Sequence, residues 1–321
     1  MLALILKGKE NVPAIEDIDL PPPAEGWVAI QLRAASINHR DIWIQKGLYA
    51  GLTYPIIPGS DGAGFLDNQP VIINPGMEWG DDERFQSADF KILGMPDNGT
   101  FSQCVHVPQN QVYPMPPHLS FEEATAIPLA GVTAYRALFT QGQLKSAERV
   151  LITGIGGGVA LWAFQFALAI GAEVWVSSSS DEKLALSKRM GAAGSFNYKE
   201  IQWTDAAKKA GGFDLVIDGA SGPALSDYIK LAKPGGRIVL YGGTVGPTGP
   251  LVPQIIFWKQ LQIIGSTMGS KQDFELMLAF INQHQLAPNI DKVYPLNEGA
   301  RAFQRMAQGA QFGKIILQIP A

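Results

Sequence analysis

The sequence predicts an α/β protein: a doubly wound parallel sheet joined to a second, irregular β domain. Three observations carry this. The stretch Arg149 to Gln165, RVLITGIGGGVALWAFQ, runs from a β-type segment through a cluster of glycines into apolar residues at helical spacing. From about residue 118 onward, β-type and helical segments alternate, as expected of parallel strands joined by helices. Before that point, prolines at 55, 58, 70, 75, 96, 108, 114, 116 and 117 leave little room for long helices.

In chain order, Leu2–Leu6 reads as a first strand, residues 12–23 as a proline-punctuated extended segment, and Trp27–Ala34 as a second strand. Ile37–Lys46 is the exception, a short helix with Asn38 and Asp41 near its start. Ser120, followed by Glu122 and Glu123, marks a helix N-terminus, and Gly131–Phe139 predicts another helix. The alternation then runs through strands at 150–153, 173–177, 195–198, 213–218, 237–242 and 262–266. Helices are expected from Val159, over 181–190 and about 223–231, with a further segment at 203–210 between strands. Val159–Ile170 is apolar nearly all round, so it should be buried on the sheet. An amphipathic helix follows over 273–286, and Gly313–Leu317 reads as a strand that returns to the first domain.

The 321 residues suggest about two domains. With 46% hydrophobic and 17% charged residues the chain should build a large core, and a net charge of −4 without a basic tract argues against nucleic acid. The opening MLALILKGKE is too short an apolar run for a leader, and no run approaches the roughly 20 residues of a membrane span. Cys104 is the only cysteine, so no internal disulfide is expected. Together these predict a cytoplasmic protein with no nucleic-acid or membrane partner.

The glycine turn points to a dinucleotide. Gly154, Gly156, Gly157 and Gly158 allow the backbone to turn sharply and approach a pyrophosphate, and the helix opening at Val159 offers unpaired N–H groups to the anion. Gly154-x-Gly156 matches the first half of the dinucleotide fingerprint. The third glycine is replaced by Ala160 or Val159, depending on register. An NAD-type site places a carboxylate at the tip of the second strand. Here Val174-Trp175-Val176 ends in Ser177-Ser178-Ser179-Ser180, and Asp181 reads better as the next helix's N-cap. Serine hydroxyls such as Ser178 and Ser179 can donate to a 2′-phosphate and Lys183 can pair with it, so NADPH is expected over NADH. The alternative is that the serines only cap the helix and Lys183 is solvated. Later strand ends should face the same crevice: Asp218-Gly219-Ala220-Ser221, Tyr241-Gly242-Gly243-Thr244 and Gly265-Ser266-Thr267-Met268. Each also suits ordinary turn chemistry.

Further motifs, taken in order, resemble the medium-chain dehydrogenase/reductase family over nearly the whole length. They are Ser36-Ile37-Asn38-His39-Arg40-Asp41-Ile42-Trp43, Pro58-Gly59-Ser60-Asp61-Gly62-Ala63-Gly64, Gly99-Thr100-Phe101-Ser102-Gln103, Gly131-Val132-Thr133-Ala134-Tyr135, Asn197-Tyr198 and Gly313-Lys314-Ile315. The resemblance implies a GroES-like domain over 1–117 and 267–321, a Rossmann domain over 118–266, and an active cleft between them. It places His39 near the cofactor pyrophosphate, Thr133 near the nicotinamide ribose, and Lys183 and Tyr198 near the 2′-phosphate. It also implies a homodimer, with Ile255 to Trp258 as apolar interface candidates.

The family divides into zinc alcohol dehydrogenases and zinc-free quinone or enone reductases. A catalytic zinc needs three ligands of Cys, His or carboxylate type. Where the zinc enzymes resembled carry a cysteine this chain has Asn38, and in place of a His-Glu pair it has Ser60-Asp61. The stretch Gly76–Gly94, where relatives hold a structural zinc on four cysteines, contains none. Arg40 replaces the hydroxyl residue of the zinc members' proton relay. No metal is therefore expected. Without a Lewis acid, hydride addition to a quinone or an α,β-unsaturated carbonyl is easier than alcohol oxidation, because the incoming charge spreads into an enolate that hydrogen-bond donors can stabilise. Asn38 is the candidate donor, Tyr49 a second candidate catalytic residue, and Trp43 a wall. An Asn capping the 38–44 helix is the plainer reading of Asn38. The chain is thus expected to be a zinc-independent, NADPH-dependent oxidoreductase. A zinc-type alcohol dehydrogenase relative and a non-catalytic NADPH-binding redox sensor are the alternatives.

Overall fold

The computed structural model describes residues 1–320, in two compact units. In the first, β1 (Leu2–Ile5) pairs antiparallel with β2 (Ala14–Asp17). The long strand β3 (Trp27–Ile37) leads into α1 (His39–Gln45), then β4 (Asp61–Leu66) and β5 (Gln69–Ile73). A small hairpin of β6 (Gly76–Met77) and β7 (Lys91–Ile92) precedes β8 (Cys104–Pro108) and β9 (Val112–Pro114). Ser120 caps α2 (Phe121–Ala124), accepting from the Glu123 N–H while Glu123 reaches back to the Ser120 N–H. α3 (Pro128–Tyr135) then widens into a π-helical turn over Arg136–Gln141.

The second unit alternates without exception: β10 (Arg149–Ile152), α4 (Gly158–Ala169), β11 (Glu173–Ser178), α5 (Asp181–Arg189), β12 (Gly194–Asn197), α6 (Trp203–Lys209), β13 (Phe213–Asp218), α7 (Leu225–Leu231), β14 (Ala232–Leu240), α8 (Pro253–Trp258) and β15 (Gln262–Gly265). All six strands are parallel, in the order β12-β11-β10-β13-β14-β15. Numbered within the unit this is 3-2-1-4-5-6, the doubly wound arrangement. The strand order reverses between β10 and β13, where such sheets bind ligands beyond their carboxyl ends. Parallel strands are covered on both faces and read as unbroken apolar runs. Val150, Leu151 and Ile152 are accordingly all fully buried, as are Leu215, Val216 and Ile217.

The chain then returns to the first unit through α9 (Lys271–His284), β16 (Ile290–Pro295), α10 (Gly299–Ala307) and β17 (Lys314–Gln318). β17 lies antiparallel to β3, Ile316 opposite Ser36, in a sheet ordered β16-β17-β3-β4-β5-β9, with β8 also on β3. The units divide after Val132 and after Met268. The first division falls later than residue 117, because α2 and the start of α3 are tied to the β sheet: the Leu129 N–H donates to the Asp61 carboxylate, and Ser36 Oγ, which donates to that same carboxylate, lies 2.9 Å from the Thr125 carbonyl. No described helix is long and apolar enough to cross a membrane.

Candidate functional site

The glycine turn links β10 to α4 at the reversal of strand order. Gly154 has φ +63, and a Cβ built there would meet nothing within 4 Å. Gly156 has φ +119, and its Cβ would lie 2.8 Å from the Lys183 chain. Side chains at both positions are therefore disfavoured by the backbone, and at Gly156 by a neighbour as well. Between them Ile155 is buried, and its N–H donates to the Ser177 carbonyl at 2.9 Å. The turn is thus pinned below and open above. Gly157 is the N-cap of α4, so the N–H groups of Gly158, Val159 and Ala160 have no acceptor within the helix. Ala160 is buried while Val159 is half-buried, so Ala160 takes the close-packed position of the missing third glycine.

At the tip of β11, Ser178 Oγ accepts from the Ser180 N–H, and Ser180 Oγ accepts from the Lys183 N–H. Ser180, not Asp181, is therefore the N-cap of α5. Asp181 is the helix's first residue, and its carboxylate takes the Asn197 amide at 2.8 Å. The extended backbone of a cap suits the residue leaving the strand, and a serine already stands there. Ser179 is half-buried, and Tyr198 is exposed with its N–H on the Ser178 carbonyl. The Ser177 hydroxyl is buried without a partner, and so is that of Ser266 at the end of β15. Two orphaned hydroxyls at the carboxyl edge, with open backbone at Gly154, Gly243 and Gly265, fit a polar ligand lying across it.

Two other glycines are required by the loops themselves. A Cβ on Gly219 would meet the Tyr241 ring at 2.5 Å, and one on Gly242 would meet the Gly219 carbonyl at 2.6 Å. These loops are organised by Asp218, which the sequence reading names only as part of a strand end. Its fully buried carboxylate accepts from Thr153 Oγ at 2.5 Å and from the Ser221 N–H at 2.7 Å. Burial raises the Asp218 pKa. Ser221 holds φ +54 and donates to the Gly242 carbonyl at 2.7 Å. Thr133 Oγ lies 3.8 Å from the sulfur of Met268, which is buried.

In the β-rich unit, the residues singled out around Asn38 converge on one closed network. Asn38 follows β3 and caps α1, where Asp41 turns its carboxylate back onto the Asn38 N–H at 2.8 Å. The Asn38 amide points the other way. Its Nδ2 donates to Asp61 at 2.8 Å, and its Oδ1 accepts from Lys314 Nζ at 2.6 Å. Lys314, only 3% exposed, also donates to the Ile37 carbonyl and pairs with Asp61 at 3.0 Å. Asp61 further accepts from Ser36 Oγ and the Leu129 N–H. Arg40 occupies the adjoining space, donating to Ser60 Oγ at 2.6 Å and to the Leu93 carbonyl at 2.7 Å. Its guanidinium stacks on the half-buried Tyr49 ring, 4.9 Å from the centroid. Tyr54 donates its hydroxyl to the Ile44 carbonyl. Desolvation lowers the His39 pKa, and Lys314 and then Lys46 lower it further. Lys314 escapes the sequence reading as a site residue because it opens a strand of buried residues. A lysine on so apolar a strand is the signal that marks it, since a buried ammonium must be paired.

These donors do not suit zinc. Asn38 offers an amide oxygen already held by Lys314, Ser60 a hydroxyl held by Arg40 and donating to Leu93, and Asp61 a carboxylate paired with an ammonium. A divalent ion there would sit beside Lys314 without the nitrogen or sulfur ligands it prefers. Among the described residues no cluster of three His, Cys, Asp or Glu could hold a metal. The stretch 76–94 closes instead on Trp79 and Phe90, packed edge to face at 5.3 Å, with Ser87 donating to the Trp79 and Glu78 carbonyls. Cys104 is half-buried beside Gln31, and its thiol is pushed up by burial.

A parallel sheet in this order, with a glycine turn at its reversal, defines a doubly wound dinucleotide-binding fold. Residues 24–117 match the alcohol dehydrogenase GroES-like domain family and residues 158–283 the zinc-binding dehydrogenase family. The zinc-type alcohol dehydrogenase-like protein YogA of Leptosphaeria maculans is 35% identical, over 94% of this chain and 93% of its own. The quinone oxidoreductase of Mus musculus is 30% identical over 97% of this chain and 94% of its own. Among solved structures, an NAD-dependent alcohol dehydrogenase superposes with TM-score 0.93 at 32% identity, covering 100% of both chains. The quinone oxidoreductase of Thermus thermophilus, also solved with NADPH, superposes with TM-score 0.83 at 27% identity, covering 99% of this chain and 100% of its own. The chain belongs to the medium-chain dehydrogenase/reductase superfamily, and it is an oxidoreductase.

Proposed function

We propose that this oxidoreductase uses NADPH, without a metal, to reduce quinones or α,β-unsaturated carbonyl compounds. The observation that carries the reading is the donor set at residues 38, 60 and 61, each already committed to Lys314 or Arg40. Such a site has hydrogen-bond donors to offer but no Lewis acid. It suits acceptors whose charge delocalises rather than alcohols that must form an alkoxide. When bound, a reduced nicotinamide supplies the hydride. The residues do the rest. Gly154 leaves the backbone open to a diphosphate, with the Lys183 chain lying over Gly156, and the first N–H groups of α4 hold it. Ser178, Ser179, Lys183 and Tyr198 surround the ribose phosphate that distinguishes NADPH, and the Asp181 carboxylate is turned onto the Asn197 amide. Asn38 donates to the acceptor's oxygen, and Tyr49, braced by Arg40, forms part of the wall.

The test is an acceptor screen with both reduced cofactors, against quinones, enones and simple aldehydes. The reading expects turnover with quinones or enones and an NADPH preference in kcat/KM. Turnover confined to alcohol–aldehyde pairs, or equal use of NADH, contradicts it.

A further inference from the structure

Resting on that reading, we propose that Lys314 is a positioning residue for hydride acceptance. With Asp61 it clamps both ends of the Asn38 amide and leaves one Nδ2–H to donate to the acceptor's oxygen. The argument is one of saturation. Lys314 has three N–H bonds, and all are used, by the Ile37 carbonyl at 3.1 Å, Asn38 Oδ1 at 2.6 Å and Asp61 Oδ2 at 3.0 Å. Asp61 Oδ2 accepts from Ser36, Asn38 and Lys314, and Oδ1 from Leu129. The Asn38 carbonyl end is filled by Lys314, and one amide hydrogen goes to Asp61. The second amide hydrogen has no acceptor among the described residues. Asn38 is also the member of this cluster that keeps most contact with solvent, at 7%, against 3% for Lys314 and 0% for Asp61 and Ser36.

Charge fixes which way round the amide sits. A lysine ammonium only donates and a carboxylate only accepts, so a flipped amide would set NH₂ against the ammonium and oxygen against the carboxylate. The amide is therefore held in one orientation before any acceptor arrives. Preorganised donors are the kind that act on charge as it develops in the transition state. Lys314 thus works through Asn38 and touches no substrate itself. Two internal cations, Lys314 at Asn38 and Arg40 at Ser60, fill the ground that metal ligands would need.

The test is a mutant cycle on the intact enzyme. Lys314→Met is combined with Asp61→Asn, so that no unpaired charge is left buried, and Asn38→Ala is made in both backgrounds. The inference expects enone kcat to fall by about 100-fold in the double variant, as for loss of one oxyanion donor, with KM and the NADPH Kd within about twofold of wild type. Asn38→Ala should cost about the same in the wild-type background and add nothing further in the double variant. Full enone kcat in the double variant, or losses that add independently, overturns the inference while leaving the proposed activity standing. A wild-type enzyme that turns over neither quinones nor enones overturns both. If the double variant does not fold, the wild-type protein labelled with ¹⁵N at asparagine gives the answer. The two Asn38 amide protons should resolve separately, and only one should shift when an unreactive saturated ketone is titrated into the NADP⁺ complex. An averaged pair, or no shift, overturns the proposal.

Discussion

Asp41 is fully buried, and that burial pushes its pKa up to about 6 from 3.8, against the opposing pull of Arg40 and the Asn38 N–H. A carboxyl whose folded pKa is raised binds more protons folded than unfolded between those values. Its ionisation then costs stability, and the cost grows as pH rises from about 4 to about 6 and is complete above that. The full cost is on the order of 2–3 kcal/mol. The melting temperature of the wild type, measured relative to Asp41→Asn, should therefore fall as pH rises through this window; a pH-independent difference contradicts the assignment. Lys183 carries a second residue-scale prediction. Its chain lies against Gly156, at the α5 N-terminus where Ser180 caps. Lys183→Ala should raise the NADPH Kd about tenfold, the equivalent of ~1.4 kcal/mol, and leave the NADH Kd nearly unchanged in a fluorescence titration. Equal weakening of both would place Lys183 elsewhere on the cofactor.

At the scale of elements, the β10 turn and α4 make a rigid unit with one open face. Gly154→Ala places a Cβ in empty space but on a left-handed backbone, which costs about 1 kcal/mol and a few degrees of melting temperature. The same Cβ occupies the approach of a diphosphate, so NADPH affinity should fall by at least about tenfold, more than the stability loss explains. Calorimetry and titration on the same variant separate the two effects, and an unchanged Kd contradicts the assignment. This turn was legible because few residues other than glycine can follow such a backbone, and the strand–helix alternation around it has an unmistakable period. The α5 cap was not legible: the run Ser177–Ser180 before Asp181 offers several capping residues, and only the φ and ψ of Ser180 decide among them. The cluster at Asn38 was half legible. Residues 38 and 60 stand out by chemistry, but Lys314, which holds Asn38, comes from β17, more than 250 positions away, and no local pattern reveals that pairing. Asp218 was missed for a related reason, since a carboxylate ending a parallel strand looks like any turn residue until Thr153 and Ser221 are seen to hold it.

At the scale of the molecule, the six-stranded sheet ends on β15, an edge strand with no neighbour beyond it. Ile263 on that strand is 38% exposed, and on α8 Phe257 and Trp258 are 64% and 83% exposed, with no residue of α8 buried. An exposed apolar edge strand is a template for pairing. We expect a homodimer joined through this face, and Phe257→Ser with Trp258→Glu should shift the sedimenting species from dimer to monomer. A monomeric wild type contradicts that expectation.

The central claim, hydride transfer from NADPH without a metal, is tested most directly by the rate of NADPH oxidation with 1,4-benzoquinone and with a simple enone. The enzyme is assayed before and after exhaustive chelation. Asn38, Ser60 and Asp61 are engaged by Lys314 and Arg40, so the account predicts rates that chelation leaves unchanged. A rate abolished by the chelator and restored by one equivalent of zinc would contradict it.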